Sequence, residues 1–582
     1  MSKRNTKIYC ADFETTSKAQ YEIEGCTRVY LWKMKGVYNK YNKVGVNIDE
    51  FMEECGSFDN GTIIYFHNLS GFDGEFIMNY FMNKGWTYTK EQKLEPYQFT
   101  SLTDEFGSHY SIKFCLWEFD APKTIEFRCS YRLMSISIKK LGKLVGLEKL
   151  DEEHDYEELK NYKSIDDVTK EELDYIENDV EILKQVLLFL FNQGINKLTM
   201  SSSCYSNWKQ KGGYSVWKQH LHRSDEETEE IITKSYKGGI CMVNPLYQGK
   251  VLTNVKSYDY NSMYPSQMLG SMPVGKGYTI DASENYYEDI AKLKRKGYKK
   301  FIVSVMVNEV EVLDDYMPFI GVTNGFSFSK SYKYERTIKQ KKLCLWWDEF
   351  QLFTYYYTGS YIVTSITGFE ERKGIFNKYI EYWKNVKENA ENDVIRSLAK
   401  LMLNSLYGKF GMNTDRLCKI PLGFDEDGKL IYSTSEMSSE TYYYRAIASY
   451  ITSQARCELV RAIQSCGRKG FIYCDTDSVY CFEDVNPDIP LDDHKFNNWK
   501  CEGHYHQAKF LKAKVYIKYE GDEKVVRCAG LPNDVAQKYL TFDTLNDGFV
   551  IEGAKKCKRR VKGGIIIDTT NFKINLDNVV YV

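Results

Sequence analysis

The chain has 582 residues and a mass of 68.1 kDa, more than one hydrophobic core usually serves, so we expect two or more domains. Lys and Arg total 78 against 80 for Asp and Glu, and this net charge of -2 excludes a globally basic nucleic-acid-binding protein. Any nucleic-acid contact must therefore use local basic patches. The run 555–562 favours phosphate contacts, whereas the run 292–300 is typical of a solvated charged face.

The 16 cysteines are scattered without a CxxC pair, which favours reduced, buried thiols in a cytosolic protein. Cys501, His504 and His506 lie close together, but a fourth ligand at a convincing spacing is missing, so we do not expect zinc there. The longest wholly apolar run, residues 186–191, is too short to span a bilayer, and the N-terminus begins without an apolar core. We expect a protein that is neither exported nor embedded in a membrane.

Two predicted strands near the N-terminus carry acids. Residues 8–15 predict an opening strand on which Asp12 and Glu14, two residues apart, face the same way. The apolar run 63–66 predicts a second strand, which leads through a turn to Asp73. Carboxylates aimed at one point repel each other unless cations lie between them, so this grouping indicates a metal site.

A helix then begins at the capping box of residues 169–172. Tyr175 and Asp179, four residues apart, lie one turn from each other on this helix. Although Tyr175 and Asp179 are far along the chain from the two strands, folding can bring all of these residues to one site. We expect the four acids to hold two metal ions, with the Tyr175 hydroxyl holding an attacking water.

These residues resemble, in order, the Asp-x-Glu, Asn-(x)-Phe-Asp and Tyr-x3-Asp motifs of the 3'-5' proofreading exonuclease of family-B DNA polymerases. The second motif is lengthened here by two residues. The resemblance implies an RNase H-like exonuclease domain over residues 1–200. The implied catalytic residues are Asp12, Glu14, Asp73, Tyr175 and Asp179, with Asp12, Glu14 and Asp179 as metal ligands and with Asn68 and Phe72 on the DNA.

A lysine also belongs to this exonuclease site, and the resemblance places it after Tyr156. Lys160 and Lys163 are candidates, whereas Glu158 occupies the best-aligned position. The sequence therefore leaves that lysine unassigned.

A second group of acids lies in the C-terminal part. Residues 473–478 set Asp475 and Asp477 two positions apart in an apolar run that predicts a strand or hairpin. A turn that happens to carry two aspartates is an equal interpretation of these six residues alone. Residues 257–265 add Asp259 on a predicted strand that stops at Pro265.

Residues 396–408 predict a helix that ends at Gly408. One stripe of this helix is polar and predicts a cleft-facing surface, with cations for a triphosphate and an aromatic ring for a base or sugar. The stripe consists of Arg396, Lys400, Asn404 and Tyr407.

Order and spacing resemble three family-B polymerase motifs, Asp-x2-Ser-(Leu/Met)-Tyr-Pro, Lys-x3-Asn-Ser-x-Tyr-Gly and Tyr-x-Asp-Thr-Asp-Ser. The implied metal ligands are Asp259, Tyr260 and Asp477, and the implied catalytic residues also include Asp475, in support, and Lys400. The resemblance gives nucleotide contacts to Tyr264, Arg396, Lys400, Asn404, Tyr407 and Gly408, with Tyr264 excluding ribonucleotides. Matches to a Tyr-x-Gly-Gly linker, a Lys-x-Tyr motif and a template-contact motif imply DNA contacts by Tyr236, Gly238, Gly239, Lys514, Tyr516, Thr452 and Arg456.

Two inserts and the compact length resemble the protein-primed DNA polymerases of small tailed bacteriophages. The first insert, about 271–370, has predicted short strands such as 301–307 and 355–357, and the second, about 411–443, has a hairpin turn at 427–428. The resemblance implies that the first insert contacts a terminal protein whose side-chain hydroxyl serves as primer. The second insert would close around DNA, giving processivity and strand displacement.

The implied fold class is a multidomain α/β and α+β protein in which the exonuclease domain precedes a polymerase domain with palm, fingers and thumb. The expected ranges are 201–582 for the polymerase domain, with palm at about 201–270 and 444–530, fingers at about 371–410 and thumb at about 531–582.

Implied partners are template-primer DNA, deoxynucleoside triphosphates, the terminal protein, a single-stranded-DNA-binding protein and Mg²⁺, with Mn²⁺ as substitute. The implied location is the cytoplasm of a bacterial host.

Two other functions are compatible with the sequence. One is a conventionally primed family-B polymerase of a plasmid or a repair system. The other is a catalytically inactive DNA-binding replication protein, which the retention of every candidate metal ligand disfavours.

Overall fold

The structure is a computed structural model that describes residues 7–16, 26–91, 93–104, 106–118, 121–150, 160, 162–322, 333–413, 415–437, 441–562 and 564–576. Tyr156 and Glu158, the two reference positions for the exonuclease lysine, lie outside these ranges. Over the described ranges, no helix is both long enough and apolar enough to cross a bilayer.

The N-terminal part folds around one mixed sheet. Its elements are β1 (Ile8–Thr16), β2 (Arg28–Gly36), β3 (Asn42–Gly45), α1 (Ile48–Gly56), β4 (Thr62–Phe66), α2 (Asp73–Asn83), β5 (Thr87–Tyr88), β6 (Gln98–Thr103), β7 (His109–Glu118), β8 (Ala121–Cys129), α3 (Ile138–Leu144) and α4 (Lys170–Asn192). The strand order is β3-β2-β1-β4-β8-β7-β6-β5. Because β1 and β4 are parallel neighbours, their carboxyl ends lie at the same edge, and this edge carries the predicted acids.

Helix α4 brings the fourth acid to this sheet. The predicted capping box is confirmed at its start, where the Glu172 amide donates to Thr169 Oγ1 at 3.2 Å and the Thr169 amide donates to the Glu172 carboxylate at 2.9 Å. Ile176 and Val180 are fully buried, and Asp179 lies on the same inward side of the helix.

The C-terminal part begins with α5 (Met200–Trp208), α6 (Tyr214–His220), α7 (Glu226–Ser235), β9 (Cys241–Val243), β10 (Val251–Tyr260), α8 (Met263–Met268), β11 (Ser271–Asp281), α9 (Tyr286–Arg295), β12 (Lys300–Val312), β13 (Thr337–Trp346), α10 (Trp347–Tyr356), β14 (Tyr357–Lys373), α11 (Asn377–Glu388) and α12 (Asp393–Phe410). It continues with β15 (Arg416–Phe424), β16 (Leu430–Met437), α13 (Arg445–Gly470), β17 (Phe471–Asp475), β18 (Ser478–Phe482), β19 (Trp499–Lys512), β20 (Val515–Glu520), β21 (Glu523–Cys528), α14 (Asn533–Tyr539), β22 (Val550–Val561) and β23 (Gly564–Lys573).

The central sheet of this part has the strand order β21-β20-β19-β10-β18-β17-β9. Strand β10 therefore lies between β19 and β18, which follow it by more than two hundred residues. Helix α13 packs on one face of the sheet, where Leu459 and Ile463 are fully buried. The acids of the C-terminal part lie where β10, β17 and β18 meet.

The first predicted insert forms its own four-stranded sheet, the insertion sheet, in the order β11-β14-β12-β13. Its strands are longer than expected, because β12 has 13 residues and β14 has 17. Tyr355 and Tyr356 end helix α10 and do not form the predicted strand. Phe350 and Phe353, three residues apart, are buried, so this aromatic segment packs with helical spacing.

Two predicted element ends are corrected. Pro265 lies in the first turn of α8 and does not stop the preceding strand, because a proline at that place needs no amide donor. Helix α12 passes Gly408 and ends at Phe410, followed by Gly411. Leu406 and Phe410 are fully buried, so tertiary packing extends the helix through the glycine.

Two antiparallel hairpins meet at their tips. The predicted hairpin turn of the second insert is confirmed between β15 and β16, where Gly428 has a φ of 74°. The basic run 555–562 lies in the β22–β23 hairpin. The Lys562 amide donates to the Gly428 carbonyl at 2.7 Å, and Lys429 forms a β-bridge with Val561.

The β22–β23 hairpin also docks on the N-terminal part. Arg560 donates twice to Glu75 of α2, at 2.5 and 2.7 Å, and Glu75 is only 2% exposed. Asn79, one turn further along α2, donates to the Gly564 carbonyl at 2.7 Å. This bidentate, partly buried ion pair connects the β22–β23 hairpin to the helix that begins with Asp73.

Candidate active sites

The first acid cluster consists of Asp12, Glu14, Asp73 and Asp179. Asp12 and Glu14 face one side of β1, Asp73 is the first residue of α2, and Asp179 projects from α4. The last three are nearly buried, with 7%, 3% and 6% of their surface exposed. The structure therefore brings together the four acids that the sequence predicts to converge.

Burial and mutual repulsion keep these acids from ionising easily. The pKa of Asp12 lies well above its usual value because its carboxyl is desolvated and the other three acids carry like charge. Burial and the charge of Asp179 raise the pKa of Glu14 to about 8, and burial raises the pKa of Asp73 to about 7. A nearby cation would lower all of these pKa values.

Lys149 supplies one such positive charge, and sequence reasoning missed it. Its Nζ donates to Asp179 Oδ2 at 2.5 Å and lies 4.8 Å from the centroid of the Tyr175 ring. Although burial opposes it, the Asp179 carboxylate raises the pKa of Lys149, so the ammonium stays charged. Lys149 lies in the segment between α3 and α4, where no periodic pattern points to it.

The two lysines proposed from the sequence lie elsewhere. Lys160 Nζ pairs with Glu172 at 3.1 Å, and the Lys163 amide donates to Asp167 at 2.8 Å. Lys149 is therefore the better candidate for the exonuclease lysine.

Asn68 and Phe72 precede Asp73 in the turn after β4. Asn68 adopts a φ of 71°, which asparagine tolerates, and its carbonyl accepts a hydrogen bond from the Phe72 amide at 3.0 Å. Asn68 is exposed and Phe72 is half-buried, with the ammonium of Lys558 5.9 Å from the Phe72 ring centroid. Both predicted DNA-contacting residues thus border the first acid cluster.

The second acid cluster consists of Asp259, Asp475 and Asp477. Asp259 pairs across the sheet with Ser478, the residue after Asp477, and the Tyr260 amide donates to the Asp477 carbonyl at 2.7 Å. Thr476, which lies between Asp475 and Asp477, has a φ of 61°, so the turn that joins β17 to β18 is tight. This register holds Asp259 beside Asp477, as the sequence predicts.

Electrostatics in the second acid cluster parallel those in the first. Burial and the charge of Asp477 raise the pKa of Asp259 to about 7. Burial and the charge of Asp475 raise the pKa of Asp477, while Lys400 opposes the increase. Lys514 Nζ donates to both oxygens of Asp475, at 2.6 and 2.7 Å.

The polar stripe of α12 faces this cluster. Arg396, Lys400 and Asn404 are exposed along one side of the helix, and the charge of Lys400 acts on Asp259 and Asp477. Gly408 is also exposed, in the interior of α12.

Two aromatic rings stack beside this stripe. The ring of Tyr407 from α12 lies 4.2 Å from that of Tyr264, which α8 contributes, at an interplanar angle of 27°. The Tyr260 ring instead packs on Trp499 at 5.1 Å, so only the backbone carbonyl of Tyr260 remains for a metal.

A cavity of about 450 Å³ extends from the second acid cluster along β19 and β20. Lys514, with its left-handed φ of 59°, and Tyr516 line it together with the acids. These two residues form the predicted Lys-x-Tyr motif, so the motif and the acids share one groove.

The Tyr-x-Gly-Gly linker passes directly beside the turn between β17 and β18. The Thr476 amide donates to the Ile240 carbonyl at 2.8 Å, and a Cβ on Gly239 would lie 2.8 Å from Thr476 Cγ2. Gly238 is exposed and Tyr236 half-buried. A glycine at position 239 thus permits this close approach.

Arg456 and Thr452 differ from expectation, because both are buried, at 4% and 2% exposure. Arg456 donates to the carbonyls of Lys237 and Gly238 at 2.6 and 3.2 Å, and to the carboxylate of Glu349 from α10 at 2.9 and 3.0 Å. The expectation of direct DNA contact is therefore revised: Arg456 holds the linker.

The donor sets suit divalent cations. Oxygen ligands alone are what Mg²⁺ and Mn²⁺ prefer, and the buried acids of each cluster repel one another. In the part of the chain that the structure describes, no three acidic, histidine or cysteine side chains enclose a metal ion as they stand. Lysine ammonium groups lie against one acid in each cluster instead, Lys149 on Asp179 and Lys514 on Asp475.

Two separate carboxylate clusters, one of them facing a stripe of cations and aromatic rings, define an enzyme of phosphoryl or nucleotidyl transfer. Residues 146–489 match the family described as DNA polymerase type B, organellar and viral. The DNA polymerase of Bacillus phage Nf is 30% identical over 98% of this chain and 99% of its own length, and that of Streptococcus phage Cp-1 is 27% identical over the same shares.

A solved structure of phi29 DNA polymerase complexed with primer-template DNA and incoming nucleotides superimposes with a TM-score of 0.87 and 27% identity. The match covers 98% of this chain and all of that one. The chain belongs to the type B DNA polymerases of organelles and viruses and is a DNA-directed DNA polymerase. The predicted multidomain fold class is confirmed, and polymerases of this kind use divalent metals.

The raised carboxyl pKa values predict how stability depends on pH. Folded protein keeps protons on Glu14 up to about pH 8 and on Asp73 and Asp259 up to about pH 7, whereas the unfolded chain loses them near about pH 4. The folded state binds more protons in this window, so its free energy of unfolding decreases as the pH rises. Urea unfolding in EDTA measures this decrease.

The Asp259→Asn variant should show a shallower decrease, because it removes one of the titrating groups. Asp522→Asn, at an exposed position, is the matched control and should follow the wild type. An Asp259→Asn curve parallel to the wild type would contradict the burial of this carboxyl.

The Glu349–Arg456 pair predicts a second effect. Glu349→Gln leaves the buried guanidinium of Arg456 without its counter-charge, and we expect the free energy of unfolding to decrease by about 3 to 5 kcal/mol. Asp348→Asn on the same helix keeps an acceptor for Gln454 and should change the free energy of unfolding by less than about 1 kcal/mol. Equal losses in the two variants would show that the buried pair has no special role.

Proposed function

We propose that this DNA polymerase starts replication from a hydroxyl of a terminal protein, extends the strand while displacing the complementary one, and proofreads with a 3'-5' exonuclease. The main support is the presence of two acid clusters on two different sheets of one chain. One cluster suits strand synthesis and the other suits strand trimming.

At the second acid cluster, Asp259, Asp477 and the backbone carbonyl of Tyr260 would hold divalent cations, most suitably Mg²⁺ with Mn²⁺ as substitute. Such cations, when bound, activate the primer 3'-hydroxyl and neutralise the triphosphate. Lys400, with Arg396 along the same stripe, binds the phosphates of a deoxynucleoside triphosphate. Asn404 and Gly408 border the same nucleotide.

The stacked pair of Tyr264 and Tyr407 selects the sugar and the base. A ring at the 2' position of the sugar leaves no room for a hydroxyl, so ribonucleotides are rejected. Lys514 and Tyr516 bind the primer strand in the groove of the second acid cluster. Asp475 supports this contact, because its carboxylate fixes the Lys514 ammonium.

At the first acid cluster, Asp12, Glu14 and Asp179 would hold the cations, and Asp73 adds charge. Tyr175 orients the attacking water, and the Lys149 ammonium lies close enough to stabilise the same geometry. Asn68 and Phe72 bind the single-stranded 3' end. In the linker between the two activities, Tyr236, Gly238 and Gly239 bind the template.

We keep the domain limits proposed from the sequence and assign the elements of the fold to them. The exonuclease domain, 1–200, contains β1 to α4, and the palm, about 201–270 and 444–530, contains the central sheet. The fingers, about 371–410, contain α11 and α12, and the thumb, about 531–582, contains the β22–β23 hairpin.

The insertion sheet supports protein priming. Its part of the chain exposes Tyr287, Tyr355 and Ile362 by more than half of their surface, and large exposed apolar side chains are typical of protein contacts. The contact between the β15–β16 and β22–β23 hairpins supports strand displacement, since a closed path of protein can surround DNA. A single-stranded-DNA-binding protein would then cover the displaced strand in the host bacterial cytoplasm.

Separate sites predict separate losses. Asp477→Ala should reduce nucleotide addition by at least about 100-fold and spare degradation of single-stranded DNA, whereas Asp12→Ala should do the reverse. Primer extension and exonuclease assays with Mg²⁺ measure both activities. Loss of both activities in each variant would contradict two independent sites.

Protein priming predicts that a labelled deoxynucleotide becomes covalently attached to a candidate terminal protein from the same genome, without any nucleic-acid primer. Tyr355→Ser should weaken this attachment and leave DNA-primed extension unchanged, because it alters only the exposed insert. Extension of DNA primers alone would identify a conventionally primed polymerase instead.

A further inference from the structure

A β-bulge on β19 creates a site on the palm sheet away from the catalytic acids. The register between β10 and β19 shifts between Ser257 and Tyr258, so that Glu502 has no partner on β10. Residues three apart on a regular strand face opposite sides. The extra residue therefore brings Cys501 and His504 to the same side of the sheet.

Glu502, the extra residue of the bulge, points to the opposite side of the sheet from Cys501 and His504. Glu502 lines the cavity of the second acid cluster, and a Cβ on Gly503 would lie 2.6 Å from the Tyr505 hydroxyl oxygen. A larger residue at position 503 would therefore have to displace the Tyr505 side chain. The bulged backbone of β19 therefore places the side chains of Cys501 and His504 next to each other.

Cys501, His504 and Glu483 are connected by hydrogen bonds. The Cys501 Sγ lies 3.4 Å from His504 Nε2, and His504 Nδ1 lies 2.9 and 3.0 Å from the two carboxylate oxygens of Glu483. A carboxylate only accepts, so Nδ1 carries the proton in neutral His504. The lone pair of Nε2 then points at the thiol.

Cys501 is the exposed cysteine among the 16 of the chain; Cys241 and Cys557 are half-buried, and the other thirteen are buried. Desolvation by the neighbouring strands raises the pKa of the Cys501 thiol, while the Gly503 amide and Lys256 oppose this. The other titratable groups that face it are Cys481 and Glu483, from the region of β18, and Tyr258, its cross-strand partner on β10. The thiol is therefore neutral at rest and needs a base in order to react.

We propose that Cys501, His504 and Glu483 form a thiol–imidazole–carboxylate relay that makes Cys501 a site of reversible modification by small disulfides. A nucleophile within hydrogen-bond reach of a base that a third group orients is the arrangement used for nucleophilic catalysis. Exposure gives the disulfide access to the sulfur.

The exchange is balanced. Cys501 gives its proton to His504 Nε2, and its Sγ attacks one sulfur of the disulfide. A new S–S bond forms as the old one breaks, and the leaving thiolate takes the proton from His504. Cys501 is oxidised to the mixed disulfide while half of the reagent is reduced to a thiol, so no further oxidant is needed.

The test uses the full-length protein and the neutral disulfide 4,4'-dithiodipyridine, with the rate followed by absorbance and the modified residue mapped by mass spectrometry. We expect a single fast phase at about pH 7 that maps to Cys501, is absent in Cys501→Ser and is reversed by a reducing thiol. His504→Gln should slow it by at least about 10-fold.

His506→Gln is the matched control, because this imidazole lies on the same strand two residues further and makes no hydrogen bond to Cys501 in the part of the chain that the structure describes. Its rate should equal that of the wild type. The rate of His504→Gln should rise about tenfold per pH unit, as for an unassisted thiol, whereas the wild-type rate should vary less around neutral pH.

Two results would overturn the proposal. One is an equal rate in His504→Gln and the wild type, which would make Cys501 merely an exposed thiol. The other is a fast phase that maps to Cys241 or Cys557.

Discussion

Mutual repulsion among buried carboxylates is the dominant electrostatic feature of both acid clusters. Asp12, Glu14 and Asp73 have raised pKa values in one cluster, and Asp259 and Asp477 have raised pKa values in the other. The fold holds these groups together at a cost in stability, because they come from rigid strands and helix ends. Protons on the carboxyls, the ammonium groups of neighbouring lysines and divalent cations, when bound, all offset that cost.

The two clusters lie on different sheets, and the β22–β23 hairpin contacts the helix that begins at the first cluster. Helix α2 begins with Asp73 and carries Glu75, which forms the bidentate pair with Arg560 of β22. The tip of the same hairpin also contacts Gly428 in the hairpin of the second insert. A movement of the C-terminal hairpin during synthesis would therefore act directly on the helix that positions an acid of the first cluster.

The site residues that could be predicted from the sequence were those that lie in regular strands and helices. Asp12 and Glu14 were predictable because a strand has a period of two, and Asp179 because a capping box and a buried stripe fix the face of α4. Lys149 was not predictable, because it reaches Asp179 from an irregular segment 30 residues earlier in the chain. The burial of Arg456 was equally hidden, because its partner Glu349 belongs to a helix of the insert and only tertiary packing brings them together.

Binding of Mn²⁺, followed by electron paramagnetic resonance in the wild type and in two variants, measures whether the two acid clusters hold cations independently. We predict two separable groups of bound ions, of which Asp12→Ala removes one and Asp477→Ala removes the other. Loss of the same ions in both variants, or retention of all ions in either, would contradict the claim that this chain builds two independent cation-holding carboxylate clusters.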